Sequence, residues 1–419
     1  MDVPDAILLM GDKQWQEIKS KLTGKFNKMM KGLFRQKGAQ LDINILASDE
    51  AQEFITTHAG ILDAGFQKVE MSDKMRERLT RSNYIFSGIK TFHELNEAFP
   101  SMLDENGNKK TFERFLNDVQ KINDTYNANY LHAEYNFVQA SATMAAKWEQ
   151  FREDGDQYYL QYRTAKDGKV RPEHAALDGV TLPPSDSFWD TYYPPNGWNC
   201  RCNVVQVRKQ KYPITEHSEA MNRGEEAMNG QKYNIFRFNS GKQGKTMPDY
   251  NPYTIRRCND CDVAKGKMKL GFVPDYQLCQ GCIMIRKCSE DRNRDNSAKA
   301  TKKSPEVKKL QGTTISNPDF NHEVLVTGGS IREWTNQPHK DYAAKNSILK
   351  HIAKVFREAK YIGFIDNFKM KPGIKQSHLF ETNVLGELSW IIVREYEIGE
   401  FVLHSISDSD KIKTGIRKE

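Results

Sequence analysis

The stretch Tyr158–Val207 reads YYLQYRTAKDGKVRPEHAALDGVTLPPSDSFWDTYYPPNGWNCRCNVVQV, and it decides how the chain is organised. Its paired prolines and its Asp-Gly and Asn-Gly steps exclude long regular elements, so the stretch is rich in turns. It also contains Trp189, Trp198 and the motif NCRC at 199–202. Aromatic side chains and thiols in a turn-rich segment predict a small packed module with fixed loops. The alternation over 200–207 predicts a closing strand with both thiols on one face.

The runs VRPEHAALDG, FW and PPNGWNCRC in this stretch resemble the signature of the Mu F-like phage head-morphogenesis family, the minor head proteins of tailed phages. The resemblance continues upstream through KMRERLTRSNYIFSGIKT and the helix after it, so it covers the first half of the chain. It implies a virion protein in the capsid interior or near the portal. The implied partners are portal and capsid proteins, and the implied location during assembly is the host cytoplasm.

Length and composition limit the number of domains and the class of protein. A chain of 419 residues is long enough for two or three domains, each with its own core. Hydrophobic residues make up 38% and charged residues 28%, which is typical of a soluble globular protein, and no apolar run approaches the roughly 20 residues of a membrane span. The start, MDVPDAILLMGDKQW, lacks a basic segment and predicts no secretory signal. A net charge of +7 permits nucleic-acid contact without requiring it.

The predicted fold class is α+β with several domains, and most of the N-terminal half is helical. Apolar residues at helical spacing predict a lysine-rich helix over 12–37, which could lie on nucleic acid, on a membrane or on a partner, or could dock by its apolar face. The same spacing predicts one long helix from Thr111 to about Glu149. The predicted segments are a helical region (1–150), the turn-rich module (151–212), a polar connection with a cysteine insert and a flexible basic linker (213–315), and a small domain of helix and antiparallel sheet (316–419).

Four cysteines carry a metal-binding pattern. Cys258-x2-Cys261 is followed, 17 residues later, by Cys279-x2-Cys282. Two such pairs at this separation match a structural zinc site with four thiolate ligands. Gly281 would let the second pair turn. The alternative is four thiols that are unligated or oxidised, but so polar an insert has no core of its own without an ion.

A second candidate metal site lies in the turn-rich module. His174, Cys200 and Cys202 could ligate zinc, with Asp178 as a fourth ligand, because strand alternation places both thiols on one face. Two alternatives remain open. The thiols could simply be buried beside Trp198, or a cysteine and a histidine could form a nucleophilic pair.

The last hundred residues predict an α+β domain. A helix is predicted over 341–359, and strands over 361–365, 378–383, 388–395 and 400–406, with a hairpin at 397–399. The runs VLVTGGSIREWTNQPHKDYAAKN, SHLFET, SWIIVREYE and FVLHSIS are similar to phage nuclease-like domains of the barnase, EndoU, colicin and RelE superfamily.

This second resemblance implies metal-independent cleavage of RNA, in which the 2′-hydroxyl attacks its own phosphodiester. Histidines suit the two proton transfers, and a lysine or arginine suits the charged phosphate. The candidate catalytic residues are His339, Lys340, His378, Thr382, His404 and Ser405. Arg394 is a second candidate cation beside Lys340, and Glu381 is an auxiliary group like Thr382 and Ser405. His339 could instead be a solvated loop histidine, and His404 a buried structural one.

Two functional hypotheses follow. In one, a minor head protein carries an RNase-like effector domain that acts on host RNA. In the other, the whole chain is structural and contacts packaged DNA or the portal, and its last domain is inactive. A cellular zinc-ribbon protein that binds nucleic acid would explain the four cysteines but not the module rich in aromatics and prolines.

Overall fold

The chain folds into two compact units. The computed structural model describes residues 12–230, 235–248, 251–253, 280–339, 342–367, 372–384 and 387–417. The units divide between Ser289 and Glu290, and each has a hydrophobic core of its own. The first unit is mainly helical and the second combines helices with a sheet, so the predicted α+β class with several domains is confirmed. Within the described ranges, no helix is both long enough and apolar enough to cross a membrane.

The first unit is built mainly from long helices. Its helices are α1 (Asp12–Phe34), α2 (Asp49–Ala64), α3 (Asp73–Ala98), α4 (Phe112–Asn123), α5 (Leu131–Asp154), α6 (Pro172–Ala175), α7 (Phe188–Thr191), α8 (His217–Ala227) and α9 (Ser240–Gln243), and its strands are β1 (Tyr159–Arg163), β2 (Thr181–Leu182) and β3 (Asn203–Val207). Short 3₁₀ turns lie at Ile43–Ala47, Phe99–Met102 and Gly155–Gln157. Helix α10 (Gln280–Lys303) begins in this unit and crosses the division between the units.

Helix α1 docks by its apolar face. Leu22, Phe26, Met29 and Leu33, spaced three or four residues apart, are buried in the core of the unit. Lys25 and Lys28, on the outer side, both reach Glu53 of α2, at 2.5 and 2.8 Å. Of the alternatives open from the sequence, docking by the apolar face is therefore the one observed.

The predicted long helix from Thr111 to Glu149 is interrupted. Helices α4 and α5 are joined by a π-helical segment, Asp124–Asn129. A π-helical turn breaks the regular ladder of backbone hydrogen bonds and leaves carbonyls open to other donors. One of them, the carbonyl of Tyr126, accepts a hydrogen bond from Lys90 Nζ at 2.7 Å. The sequence pattern could not reveal this partner on another helix.

Within the predicted polar connection (213–315), the described residues form helices, so the predicted flexible basic linker is wrong. After the module, the chain forms α8 and α9, and Phe236 and Phe238 are buried in the first core. The basic segment forms the end of α10 and the short helix α11 (Pro305–Leu310). Val307 is fully buried in the second core, and such burial offsets the entropy cost of ordering a polar segment.

The second unit packs helices on a six-stranded sheet. Its strands are β4 (Thr313–Asn317), β5 (Phe320–Val326), β6 (Lys360–Asp366), β7 (Ile374–Val384), β8 (Glu387–Tyr396) and β9 (Phe401–Ser407), and its helices after α11 are α12 (Gly328–Asn336), α13 (Tyr342–Ser347) and α14 (Ile352–Glu358), with 3₁₀ turns at Ile348–His351 and Asp410–Lys413. The strand order is β4-β5-β9-β8-β7-β6. Neighbouring strands are antiparallel except β5 and β9, which are parallel.

The predicted strands of this unit are confirmed as β6 to β9. The predicted hairpin lies between β8 and β9, where Tyr396 N donates to Glu400 O at 2.8 Å and Gly399 has a φ of 82°, which favours glycine. The hairpin β4–β5, which precedes the helices, was not predicted. Its parallel pairing with β9 converts the predicted antiparallel sheet into a mixed one.

Candidate functional site

The turn-rich module is a small sheet fixed to helix α5. Strand β1 pairs with β2 on one side and β3 on the other, and Tyr162 and Val204 are fully buried. Tyr193 OH donates to the carbonyl of Met144 on α5 at 2.9 Å, and the rings of Tyr193 and Trp148 meet edge to face at 5.0 Å. The predicted packed module with fixed loops is thus confirmed.

Three metal-ligating side chains meet at one end of this module. His174 lies on α6, and Cys200 and Cys202 directly precede β3. His174 Nδ1 is 3.6 Å from Cys200 Sγ and 3.5 Å from Cys202 Sγ, and the three atoms lie within 4.8 Å of one another. His174 and Cys200 are 3% and 4% exposed. A turn closed by Cys200 N and Gly197 O, at 3.1 Å, aims the thiols at the imidazole.

The pKa values of the two thiols are shifted in opposite directions. The pKa of Cys200 lies well below its usual range, mainly because the Cys202 thiol donates a hydrogen bond to it. His174 also lowers this pKa, whereas burial raises it. The pKa of Cys202 is raised by this same hydrogen bond and by burial. The pair therefore favours one thiolate, and the thiolate is the form that binds metal.

A single ion fits this arrangement. A cavity of about 20 Å³, lined by Lys169 and Arg171 among others, lies against the three ligands, and about 10–15 Å³ is enough for one water-sized occupant. Two sulfurs and one nitrogen form a donor set typical of zinc, with a fourth position left over. His174 Nδ1 faces both sulfurs and is the ring nitrogen placed to act as a ligand, while Nε2 is buried without a hydrogen-bond partner among the described residues.

The predicted fourth ligand, Asp178, is not part of this cluster. Its Oδ1 accepts hydrogen bonds from the Thr164 backbone N at 2.8 Å and from Thr164 Oγ1 at 3.1 Å. Its other oxygen is 3.6 Å from Lys166 Nζ. The carboxylate fixes the loop after β1, so it cannot also complete the coordination of an ion at His174.

The predicted four-cysteine site falls mostly outside the described residues. Cys258, Cys261 and Cys279 lie there, and the site stays a prediction. Cys282 is described: it lies in the first turn of α10, is 6% exposed and belongs to the first core. Gly281 is helical, and a Cβ atom there would lie 2.6 Å from the ring of Phe92, so its role is close packing against α3.

The predicted catalytic residues of the second unit do not form one cluster. His339 is buried and its Nε2 lies 3.1 Å from Ser389 Oγ, and Ser389 pairs with Thr382 across β8 and β7. His378 lies four residues from Thr382 along β7, about 13 Å at the rise of a strand. Lys340 lies outside the described residues. The set thus divides between two ends of the sheet.

The predicted residues on β9 occupy an irregular part of that strand. Ile392 pairs with Ser405 and Val393 with Leu403, so His404 is the extra residue of a β-bulge. His404 is half-buried. Ser405 is 1% exposed, and its Oγ has no hydrogen-bond partner among the described residues.

His378 belongs to a hydrogen-bonded group that the sequence did not reveal. Its Nε2 lies 3.1 Å from Glu395 Oε2, and its Nδ1 lies 2.9 Å from Tyr361 OH. Lys375 and Gln376 each donate to Glu395 at 2.6 Å. Burial raises the pKa of Glu395, but these hydrogen bonds outweigh it and the pKa is lowered. An ionised carboxylate can orient the imidazole for proton transfer.

A second unpredicted group lies in the middle of the first unit. Lys90, fully buried on α3, donates to Glu134 Oε2 at 2.7 Å and to His58 Nε2 at 3.0 Å. His58 Nδ1 donates to Ser87 Oγ at 2.7 Å, since that hydroxyl already donates to a carbonyl. Tyr253 OH donates to the other oxygen of Glu134. Four segments of the chain are joined by this buried charged group.

The protonation states in this group follow from burial and from the neighbouring charges. Burial and the nearby Lys90 lower the pKa of His58 to about 4, so the ring is neutral near pH 7. Burial opposes ionisation of Glu134, but Lys90 and His58 outweigh it and lower its pKa to about 2. The sequence signal for Lys90 was a single basic side chain among the apolar residues of the run YIFSGIKTF.

Comparison with known proteins finds similarity over parts of this chain. Residues 105–205 match the family model of "Phage Mu protein F like protein", and residues 293–403 match the model of "Large polyvalent protein-associated domain 3". The chain is 32% identical over 284 residues to the putative capsid assembly protein F of Escherichia phage Mu, covering 62% of this chain and 61% of that protein. No solved structure matches.

A second relative matches the module itself. The Mu-like prophage FluMu F protein of Haemophilus influenzae is 34% identical over 102 residues, which are 24% of this chain and 22% of that protein. The chain thus spans less than two thirds of the length of either relative. The matched region 105–205 contains α5, β1, β2, the first three residues of β3 and the cluster of His174, Cys200 and Cys202. Through this region the chain is similar to the family of proteins like Mu protein F.

Proposed function

We propose that the chain is a minor head protein that takes part in phage head morphogenesis. Its first unit would contact portal and capsid proteins, in the capsid interior or near the portal. The proposal is supported by the likeness to the putative capsid assembly protein F of phage Mu. The structural observation behind it is the Mu F-like module held on α5 as one body by Tyr193 and Trp148. A fixed surface suits docking into a symmetric assembly.

The test is the composition of assembled heads. We expect the full chain in heads purified from the phage that encodes it, and a deficit of intact heads when the chain is deleted and not supplied in trans. Mass spectrometry of gradient-purified heads measures the first result and electron microscopy the second. Intact, infectious heads that lack the chain would contradict the proposal.

The cluster of His174, Cys200 and Cys202 binds one zinc ion in this proposal. The ion would tie α6 to the start of β3, a structural crosslink between two loops of the module. The buried thiols, the low pKa of Cys200 and the ion-sized cavity support it. The four-cysteine site would hold a second structural zinc ion.

Zinc content separates these two sites. For protein purified under reducing conditions, we expect the double variant Cys200→Ser, Cys202→Ser to lose about one zinc per chain, since two of three ligands are gone. Cys258→Ser is expected to lose about one other zinc. Cys288→Ser is the control and should keep the wild-type content. Plasma mass spectrometry measures the metal, and equal zinc in the double variant and the wild type would exclude the His174 site.

In this proposal the second unit acts as an RNase-like effector on host RNA. The alternative is a purely structural virion protein whose second unit is inactive. The pairing of His378 with Glu395, with Lys375 beside it, favours the effector, because a carboxylate-oriented imidazole and a cation suit cleavage by the 2′-hydroxyl.

Cleavage of RNA by the full chain in the presence of a chelator tests the effector role. We expect His378→Ala to lower the rate by about 10²-fold or more, the usual contribution of an acid–base group. His339→Ala and His404→Ala test the other candidates, and His217→Ala, in the first unit, is the control. Gel analysis of labelled RNA measures the rate. A wild-type chain without activity would favour the structural alternative, and full activity in all three variants would refute the choice of residues.

A further inference from the structure

One face of the second unit is strongly basic. We define the basic face as eight exposed cations at the end of α10, on α11, in the 348–351 turn and on α14: Lys299, Lys302, Lys303, Lys308, Lys309, Lys350, Lys354 and Arg357. The acidic residues within 299–309 and 350–358 are Glu306 and Glu358. The eight cations are thus opposed by two acids.

Burial of the neighbouring apolar residues fixes the outward direction of these cations. Ala298 and Thr301 are buried on the inner side of α10, and Val307 is buried below α11. Leu349 and Ile352 are fully buried, so Lys350 and the residues one turn later point away from the core. The cations are therefore held on ordered helices and not on a flexible tail.

The elements that carry these cations are neighbours. Helix α11 packs against the 348–351 turn. The pKa of Glu306 is lowered mainly by the hydrogen bond from Ser304 and further by Lys350 and Lys309, so both lysines lie within electrostatic reach of it. Lysines of α11 and of the 348–351 turn, from two separate parts of the sequence, thus lie close to one another.

No carboxylate among the described residues of the unit pairs with the cations of the basic face. None of the eight forms a salt bridge with a residue in the described part of the chain. On α1, by contrast, Lys25 and Lys28 share Glu53. The basic face also contains no exposed large hydrophobic side chain. Lysine is depleted in the cores of protein–protein interfaces, where aromatic and apolar anchors are expected.

We infer that the basic face binds the phosphodiester backbone of nucleic acid, without selecting a sequence. Uncompensated lysines on a rigid surface attract phosphates and release their counterions, and the absence of apolar anchors disfavours a protein partner. The inference rests on the nucleic-acid partner proposed for this unit, but it requires no catalysis. Packaged DNA and host RNA offer the same phosphodiester chemistry.

Salt-dependent binding by the full chain tests this inference. The probes are a labelled DNA duplex of about 20 base pairs and a single-stranded RNA of about 20 nucleotides, followed by fluorescence anisotropy between about 50 and 200 mM salt. The test variant is Lys308→Glu, Lys350→Glu, Lys354→Glu. The matched variant is Lys21→Glu, Lys31→Glu, Lys68→Glu, which changes the net charge equally on exposed residues of the first unit.

We expect wild type and matched variant to bind both probes with similar salt dependence. In the test variant, the slope of log K against log salt should become shallower by about 3 for the duplex, at about 0.9 per lost contact, and affinity should fall at least about tenfold. Circular dichroism checks that both variants are folded. Unchanged binding by the test variant, equal losses in both variants, or no binding by the wild type would overturn the inference.

Two further arms separate this inference from the effector proposal. Polyglutamate of matched charge serves as an acidic-protein mimic, and equally tight binding to it would assign the face to proteins and overturn the inference. RNA cleavage by wild type, with unchanged binding in the test variant, would refute the basic face and leave the effector role. Binding through the basic face without RNA cleavage would support the basic face and refute the effector role.

Discussion

Lys90→Met is expected to lower the free energy of unfolding of the first unit by about 3–5 kcal/mol. Lys90 is fully buried and donates to Glu134, His58 and the carbonyl of Tyr126. Removing the ammonium leaves the Glu134 carboxylate buried without its cation, because His58 is neutral near pH 7. An uncompensated buried charge is among the costliest single changes a fold can suffer.

Two further variants separate the effect of the buried charge from that of an exposed ion pair. Lys25→Met removes a cation from a half-exposed pair with Glu53, and it should cost about 1 kcal/mol or less. The double variant Lys90→Met, Glu134→Leu should recover at least about half of the loss, because both buried charges are then gone. Hydrogen exchange of the amides in α3 and α5 reports on this unit alone. A loss below about 1 kcal/mol in Lys90→Met would refute this account of the network.

Glu94→Gln is expected to stabilise the first unit relative to the wild type as the pH rises. Glu94 is fully buried, and both of its carboxylate oxygens lack a hydrogen-bond partner among the described residues. Burial raises its pKa to about 8; Lys90 opposes the shift, and Glu134 and Glu97 add to it. The folded protein therefore holds this proton near pH 7, whereas the unfolded chain releases it near the ordinary value of 4.5.

The sign of the pH dependence follows from proton binding. Between pH 4.5 and 8 the unfolded state binds fewer protons at Glu94, so the contribution of this group to stability falls as pH rises. At about 1.36 kcal/mol per unit, the difference between variant and wild type should grow by about 4 kcal/mol from pH 5 to 8. His58 and Cys200 also titrate differently on folding, but both chains contain them, so their effects cancel in the difference.

The measurement is hydrogen exchange of α3 amides at several pH values, corrected for the intrinsic exchange rate. Glu53→Gln is the control: its pKa is lowered to about 2 by Lys25 and Lys28, so its charge is constant over this range. A constant difference between Glu94→Gln and wild type from pH 5 to 8 would contradict the assignment of a buried, protonated Glu94.

The metal cluster shows what a local pattern can predict. Alternation predicted that Cys200 and Cys202 lie on one face of a strand over 200–207, but β3 begins only at Asn203, and the turn before it brings both thiols to His174. The runs that resemble the Mu F-like family also contain His174, so the resemblance predicted that His174 lies in the same module as the two cysteines. Asp178 failed as a ligand because its neighbour Thr164 offers two donors that only the folded loop brings to it.

The second unit shows where local patterns fail. The strands β6 to β9 could be predicted from alternation and from the turn at Gly399. The residues around His378 could not, because Tyr361 and Glu395 reach it only in the register of three strands. Residues 297–303 are polar and lysine-rich, which is typical of a linker, yet burial of Ala298 and Thr301 keeps them helical.

The sequence by itself determined the helices and strands with clear periodicity, the turn-rich module and the pair of thiols at Cys200 and Cys202. Those features depend on neighbours a few residues apart, so their physics is local. Only the tertiary structure decided which charges are buried and which are exposed. Lys90 and Lys350 are the same residue type in helices, but one lies against Glu134, 44 residues away, and the other faces solvent. Solvation of a charge depends on distant parts of the chain that fold against it, and no local pattern records them.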